Sequence, residues 1–270
     1  MPKIKLFRTA FLFSFFALIL FACRKTDSEN DNDLTASRDN AMLQNAFAGI
    51  IKSAFEYADS SSLLRNSCAM VSVDSFGTAS WPKRLIIDFG TTSCRATDGS
   101  SRSGKITAVF SNRLSDSLTS VLITLNNYKH ENNGIGVSSL SIVNKGRNLR
   151  GNTEFSVNLQ NASITTNEGT ANWNATHQLE RIAGKNTTGN PMDDVYAITG
   201  NSNGTAINGN TFTAIIMNAL QINMNCAWIT NGAISLSPAN LITRTIDFGN
   251  GMCDNIATVK IKGNTNEISF

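Results

Sequence analysis

Two phrases, IIDFGTTSC at residues 86–94 and TIDFGNGMC at residues 245–253, repeat Ile-Asp-Phe-Gly, three residues, then Cys. Each closing cysteine has a partner upstream at nearly the same distance: Cys68 lies 26 residues before Cys94, and Cys226 lies 27 before Cys253. Between the members of each pair the sequence reads strand, turn, strand. CAMVSV turns near Trp81-Pro82 and returns as RLIIDFG, while CAWITNGAISL turns at SPAN (residues 237–240) and returns as RTIDFG. In an antiparallel hairpin the midpoint between opposed residues marks the turn, which places the first at Trp81 and the second inside SPAN. Opposed residues on neighbouring strands are close enough to bridge. The spacing therefore predicts disulfides Cys68–Cys94 and Cys226–Cys253, each bracing one hairpin of a duplicated unit. Closing each loop contributes about 3–4 kcal/mol in the chain-entropy model.

Around these hairpins most of the chain reads as strand and turn. KITAVF (105–110), TSVLITL (119–125), VSSLSIV (137–143), EFSVNL (154–159) and TFTAII (211–216) are β-branched and partly alternating. Breaks at NNG, NKG, NEG and NSNG separate them, and Asn and Gly accept the positive φ that tight turns demand. Short strands at this spacing predict an antiparallel, mainly β body: a long meander forming a large twisted sheet, a sandwich or an incomplete barrel. No proline-rich linker divides it, so residues 40–270 form one domain. Its one helix spans 40–58, where Leu43, Phe47, Ile50, Ile51, Ala54 and Ala58 recur at helical spacing. Asn45, Lys52 and Glu56 fall on the opposite, polar side, and Asp39 or Asn40 is placed to cap the start. The expectation is an amphipathic helix packed on the sheet.

The first 22 residues read as a processed signal. Lys3, Lys5 and Arg8 precede an apolar run from Ala10 to Ala22, too short to cross a bilayer as a helix, which takes about 20 residues. The run ends Leu20-Phe21-Ala22-Cys23, a lipobox-like string that makes Cys23 the lipidated first residue of the mature chain. The formal net charge of +3 then belongs to the signal, because removing its three cations leaves twenty charges of each sign. No basic footprint for nucleic acid remains. Residues 23–39 are expected to form a disordered tether, since 24–33 contain no apolar residue. Its carboxylates Asp27, Glu29, Asp31, Asp33 and Asp39 read either as a solvated spacer or as an acidic export tag.

Catalytic constellations are not visible. The Asp88 and Asp247 of the repeated phrase end strands ahead of glycine turns, without the accompanying loops of a kinase. His130 sits beside a turn and is expected to be exposed; His177 lies in a strand-like run, and neither belongs to a metal-spaced cluster. Asp193-Asp194 reads as the turn entering a strand rather than a calcium loop. The candidate ligand contacts are Trp81, at a hairpin tip, and Trp173, between Asn172 and Asn174; Trp228 is placed to pack near the disulfide at Cys226.

The strings IDFGTTSC…DG…RSGKI (87–106), MDDVYAITGNSNGT (192–205), FTAIIMNAL (212–220) and CAW…IDFGNGMCDNIATVKIKG (226–263) resemble, in order, a family of Bacteroidetes lipoproteins carrying the repeated IDFG-x3-C motif. The closing NTNEISF departs from that family's hydrophobic last strand. The resemblance implies an outer-envelope lipoprotein with a β body and supplies no site. Taken with the residues, it leads to the expectation of a lipid-anchored, non-enzymatic outer-membrane protein, periplasmic or surface-exposed, without cofactor or metal. Its partner is the membrane through the lipid, and an envelope protein or a glycan through the body. A carrier or chaperone for a lipidic ligand, in an incomplete barrel, is the alternative, and a surface glycan-binding module is another.

Overall fold

A computed structural model describes residues 31–58, 68–74, 80–187 and 189–270. The signal segment, Cys23 and the start of the tether lie outside the described residues. Among the described residues one α-helix, α1 (Thr35–Glu56), is followed by fifteen strands in a single sheet. The first five are β1 (Met70–Val73), β2 (Lys83–Asp88), β3 (Cys94–Arg95), β4 (Ser101–Phe110) and β5 (Ser120–His130). The middle of the sheet is β6 (Asn133–Gly136), β7 (Ser139–Arg147), β8 (Thr153–Thr165), β9 (Thr170–Ala183) and β10 (Val195–Thr205). It closes with β11 (Thr211–Asn223), β12 (Ile229–Pro238), β13 (Arg244–Asn250), β14 (Ile256–Ile261) and β15 (Asn264–Ser269). Neighbours pair antiparallel and follow chain order, except that β6 and β7 share the place between β5 and β8, and β3 pairs β4 from the side.

Alternation decides which face is inside. On β9, Ala171, Trp173, Ala175, His177 and Leu179 point in, while Thr170, Asn172, Asn174, Thr176, Gln178 and Glu180 point out. The inward set is apolar along β7 and β8 as well, with Leu140, Ile142, Phe155, Val157 and Leu159 buried. Two strands that read weakly are thereby placed. The long polar β9 is held by its inward residues, and NTNEIS forms a full ladder on β14 as β15.

The repeated phrase does the same work twice. Ile87 and Ile246 are fully buried; Asp88 and Asp247 accept the backbone N–H of Gly90 and Gly249 at 2.9 Å; Phe89 and Phe248 turn back into the core. Both glycines are in the left-handed region, φ 76° and 86°, which ends each strand. The disulfides are Cys68–Cys94 and Cys226–Cys253, each with Cα atoms 5.9 Å apart. Antiparallel runs β1-β2-β4-β5 and β12-β13-β14-β15 follow one plan at opposite ends of the sheet. The registers differ, however. In the second hairpin Ile234 faces Ile246, as the SPAN turn requires, whereas in the first Met70 faces Asp88 rather than lying four residues further along. The first ladder therefore stops at Asp88, and Cys94 reaches Cys68 from β3, beyond the Gly90 turn.

The helix differs most from its expected form. It begins at Thr35, not 40, and its N-cap is Leu34, with no side-chain cap; Asp33 Oδ1 instead accepts the Thr35 N–H at 2.9 Å. It is not amphipathic in the sense of having a wet face, because Asn45, Lys52 and Glu56 are all buried. The sheet surrounds it. Phe47 meets Trp173 of β9 with ring centroids 5.6 Å apart, and Phe55 packs between Phe155 of β8 and Tyr196 of β10 at 5.0 and 5.6 Å. Asn45 touches His130 of β5, and Lys52 donates to the Cys226 carbonyl ahead of β12. The interior of the incomplete barrel is thus occupied by its own helix. Small residues make this fit: Gly49 allows the His130 ring so close that a Cβ there would sit 2.8 Å from it.

The tether also ends earlier than residue 39. Asp31 is buried against Arg244 of β13, 2.6 Å from Nη2, and accepts the Ile242 N–H at 2.8 Å. Asp33 Oδ2 accepts from Asn208 Nδ2 at 2.8 Å, and Asp39 Oδ2 accepts the Ile207 N–H at 2.7 Å. These three carboxylates are structural ties, not parts of a solvated spacer. No helix among the described residues is long and apolar enough to cross a membrane.

Candidate functional site

Two polar regions stand out, one inside and one outside. The inner one is charged. Asp98, in the turn between β3 and β4, lies 2.8 Å from Lys52 Nζ and 2.5 Å from Arg102 Nη2, with all three side chains buried. Arg102 also donates to Ser53 and Ser100, while Thr97 donates to Glu56 at 2.8–2.9 Å. Burial opposes ionisation of Asp98, but the two cations and the Ser100 hydroxyl outweigh it and hold the carboxyl far below its ordinary range. Lys52 is pulled down by burial, only partly offset by Asp98. The network joins turns near both disulfides through one helix, since Lys52 reaches Asp98 on one side and the Cys226 carbonyl on the other. Asp98, Lys52 and Arg102 each face a partner and are all buried, so the work of the cluster is cohesion.

Both histidines belong to this interior. His130 is 3 % exposed, which corrects the exposed position expected from its turn, because β5 carries it under Gly49 of the helix. Burial, with Arg102 nearby, pushes its pKa down to about 3, so the ring is neutral. Its Nε2 lies 3.3 Å from Asn45 Nδ2. Burial alone pushes His177 down to about 4. Trp173 is fully buried and is therefore a core residue rather than a ligand contact. Trp81 is half-buried with Lys83 Nζ 4.9 Å from its ring centroid, and the structure does not bring it near Trp173. Trp228 packs edge-on against Phe270, and its backbone N–H is directed at Cys226 Sγ. Asp194 follows the short turn Pro191–Asp193, accepts from Tyr196 and pairs with Arg181 at 3.5 Å. A hollow of about 270 Å³ beside them, lined also by Arg147 and Lys185, lies against the last residues of α1.

The outer region is a groove of about 550 Å³ across β8 to β12. Asn161, Asn172, Asn174, Asn203, Thr205 and Thr213 contribute to its walls, with Thr211 and Ser237 at one end. None of its lining residues is charged. Asn161 is lifted by a register shift in β8 between Leu159 and Ala162 and takes a left-handed φ of 49°, its N–H bound to Asn174 Oδ1 at 2.8 Å. The side chains of Asn172, Asn203, Thr205, Thr211 and Thr213 make no hydrogen bond to another described residue. They are mounted on paired strands, so their positions are fixed while their donors and acceptors stay open. Beneath the floor lie the buried rings of Trp173 and Phe212.

Of this groove, the sequence singles out only the neighbourhood of Trp173. From the sequence the flanking amides read as the polar side of the strand; the structure makes them the walls of the groove and the indole part of the core. The signal was available in the alternation Asn172, Trp173, Asn174, but choosing which face is wet requires the sheet's curvature. Among the described residues no group of three or more His, Cys, Asp and Glu is arranged to hold a metal ion. The fold and groove define a disulfide-braced antiparallel body filled by its own helix, with an amide-and-hydroxyl surface. No family model matches the chain, and neither a curated protein nor a solved structure matches it.

Proposed function

We propose that this chain is a lipid-anchored, non-enzymatic protein of the outer membrane, periplasmic or surface-exposed, whose β body binds an uncharged glycan in the outer groove. The observation that carries the reading is the set of strand-mounted Asn and Thr side chains with unused hydrogen-bonding capacity and no charge among them. Amides and hydroxyls both donate and accept, which suits the hydroxyl groups of a neutral sugar. The anchoring part rests on the basic start, short apolar run and Ala22-Cys23 junction, and on the resemblance to Bacteroidetes lipoproteins. A lipid carrier would keep its interior open, yet here Leu43, Phe47, Ile50 and Ile51 occupy it. A transmembrane barrel would turn an apolar band outward, and β9 turns out Asn, Thr, Gln and Glu.

Titration of the body with neutral oligosaccharides tests the reading. Replacing Asn172 and Asn203 with Ala removes two sets of hydrogen bonds, each worth about 1 kcal/mol, so affinity should fall by roughly ten- to thirtyfold with the fold unchanged. Saccharide turnover abolished by a single groove substitution, or equal binding by the double variant, refutes it. Anchoring is tested separately: Cys23→Ser should release the body to the soluble fraction or stall the precursor.

A further inference from the structure

The groove lies at the end of the body to which the N-terminal segment is tied. Asp33 and Asp39 hold the turn between β10 and β11 through Asn208 and Ile207, and Asp31 holds the turn before β13 through Ile242 and Arg244. The groove starts at those same turns. Thr205 and Thr211 are paired across the first, and the Ala239 N–H binds the Thr211 carbonyl beside the second at 2.7 Å. Asn203 and Thr213 pair two residues further along, roughly 7 Å at strand rise. The other end of the helix, at Glu56, is about 33 Å away for 22 helical residues.

Only residues 24–30 separate Cys23 from the docked Asp31. The covalent length of that stretch limits its reach to at most ~28 Å. A lipid on Cys23 therefore keeps the groove end, and not the Glu56 end, next to the bilayer. We infer that the groove takes the uncharged sugar headgroup of a glycolipid in the same membrane that holds the anchor. This rests on the glycan reading above and on lipidation of Cys23. Shared confinement raises the effective concentration of such a headgroup into the range where a shallow, open groove suffices. The absence of any cation from the lining separates a sugar headgroup from a phosphate one.

The test uses the lipidated chain in phosphatidylcholine vesicles containing photoactivatable glucosyl, galactosyl or digalactosyl diacylglycerol, with crosslinks mapped by mass spectrometry. The expected result is labelling of the peptides bearing Asn172, Asn203 and Thr213 by at least one of these lipids, reduced at least tenfold in the N172A/N203A variant. Far-UV circular dichroism of that variant checks that it is folded. Labelling concentrated near Arg147 and Lys185 overturns the orientation and the inference with it. If soluble neutral oligosaccharides bind the groove and none of the membrane lipids labels it, the inference fails while the proposed function stands. If neither binds, both fail.

Discussion

Replacing Asp98 with Asn should cost about 3–5 kcal/mol of folding stability. Asp98 Oδ2 sits 2.8 Å from Lys52 Nζ and 2.5 Å from Arg102 Nη2, where neither cation reaches bulk water. The amide keeps the size and the contact to the Ser100 N–H, at 3.0 Å, but removes the only carboxylate paired directly with both cations among the described residues. Breaking a buried pair from one side leaves uncompensated charge, and that is where the cost arises. Lys52 has a way out, because burial already lowers its pKa and it can lose its proton; Arg102 cannot. Adding Lys52→Met should therefore recover part of the loss, about 1–2 kcal/mol. Urea denaturation followed by circular dichroism measures both variants under non-reducing conditions, so that the intact disulfides keep the unfolded reference the same. A loss below about 1 kcal/mol for Asp98→Asn, with an unchanged urea slope, would show that water or Glu56 compensates the cations and that the network is not a clasp.

Gly49→Ala should destabilise the protein although alanine is the better helix former by about 1 kcal/mol, because its Cβ meets the His130 ring at 2.8 Å; overpacking of this kind costs about 1–3 kcal/mol, and a rise in midpoint temperature would contradict it. Stability should also fall on acidification below about pH 6.5. His130 and His177 have folded values of about 3 and 4 against 6.5 unfolded, so the unfolded chain binds more protons as pH falls. Each histidine contributes up to about 1.4 kcal/mol per pH unit, fully present above 6.5 and lost downward through the folded values; urea midpoints at pH 7, 6 and 5 measure it, and a flat profile excludes neutral buried rings. Opening either disulfide by a single Cys→Ala change should cost about 2–5 kcal/mol and leave the other intact, and non-reducing peptide maps showing a reshuffled bridge would overturn the picture of two independent braces.

The repeated phrase shows how far local pattern reaches. Asp88 and Asp247 bind N–H groups two residues on, Gly90 and Gly249 take φ values that side chains disfavour, and the cysteines close loops of similar length. All of this is short-range chemistry, so the strand ends and both disulfides were legible from the sequence, as was the mainly β, antiparallel character of the body. The first hairpin's register was not, because Cys94 reaches its partner from β3, a strand of two residues that exists only through its pairing with β4.

Burial is where sequence reading stopped. Residues 40–58 carry an apolar stripe and a polar side, which in isolation describes a helix with one wet face. Whether Asn45, Lys52 and Glu56 meet water depends on strands far along the chain: β5 supplies His130, the turn after β3 supplies Asp98, and the turn before β12 supplies the Cys226 carbonyl. A buried polar group is stable only when its partners converge on it, and those partners are distant in sequence. The groove has the same origin. Asn161, Asn172, Asn203 and Thr213 lie on four different strands, and each alone is an ordinary solvent-facing residue. The sequence by itself determined the strands, their ends and their covalent braces, because those follow from neighbours along the chain. Tertiary structure alone decided that the helix fills the interior of the sheet, that Trp173 lies beneath the surface, and that the amides beside it line one groove, because curvature sets which face of a sheet is enclosed.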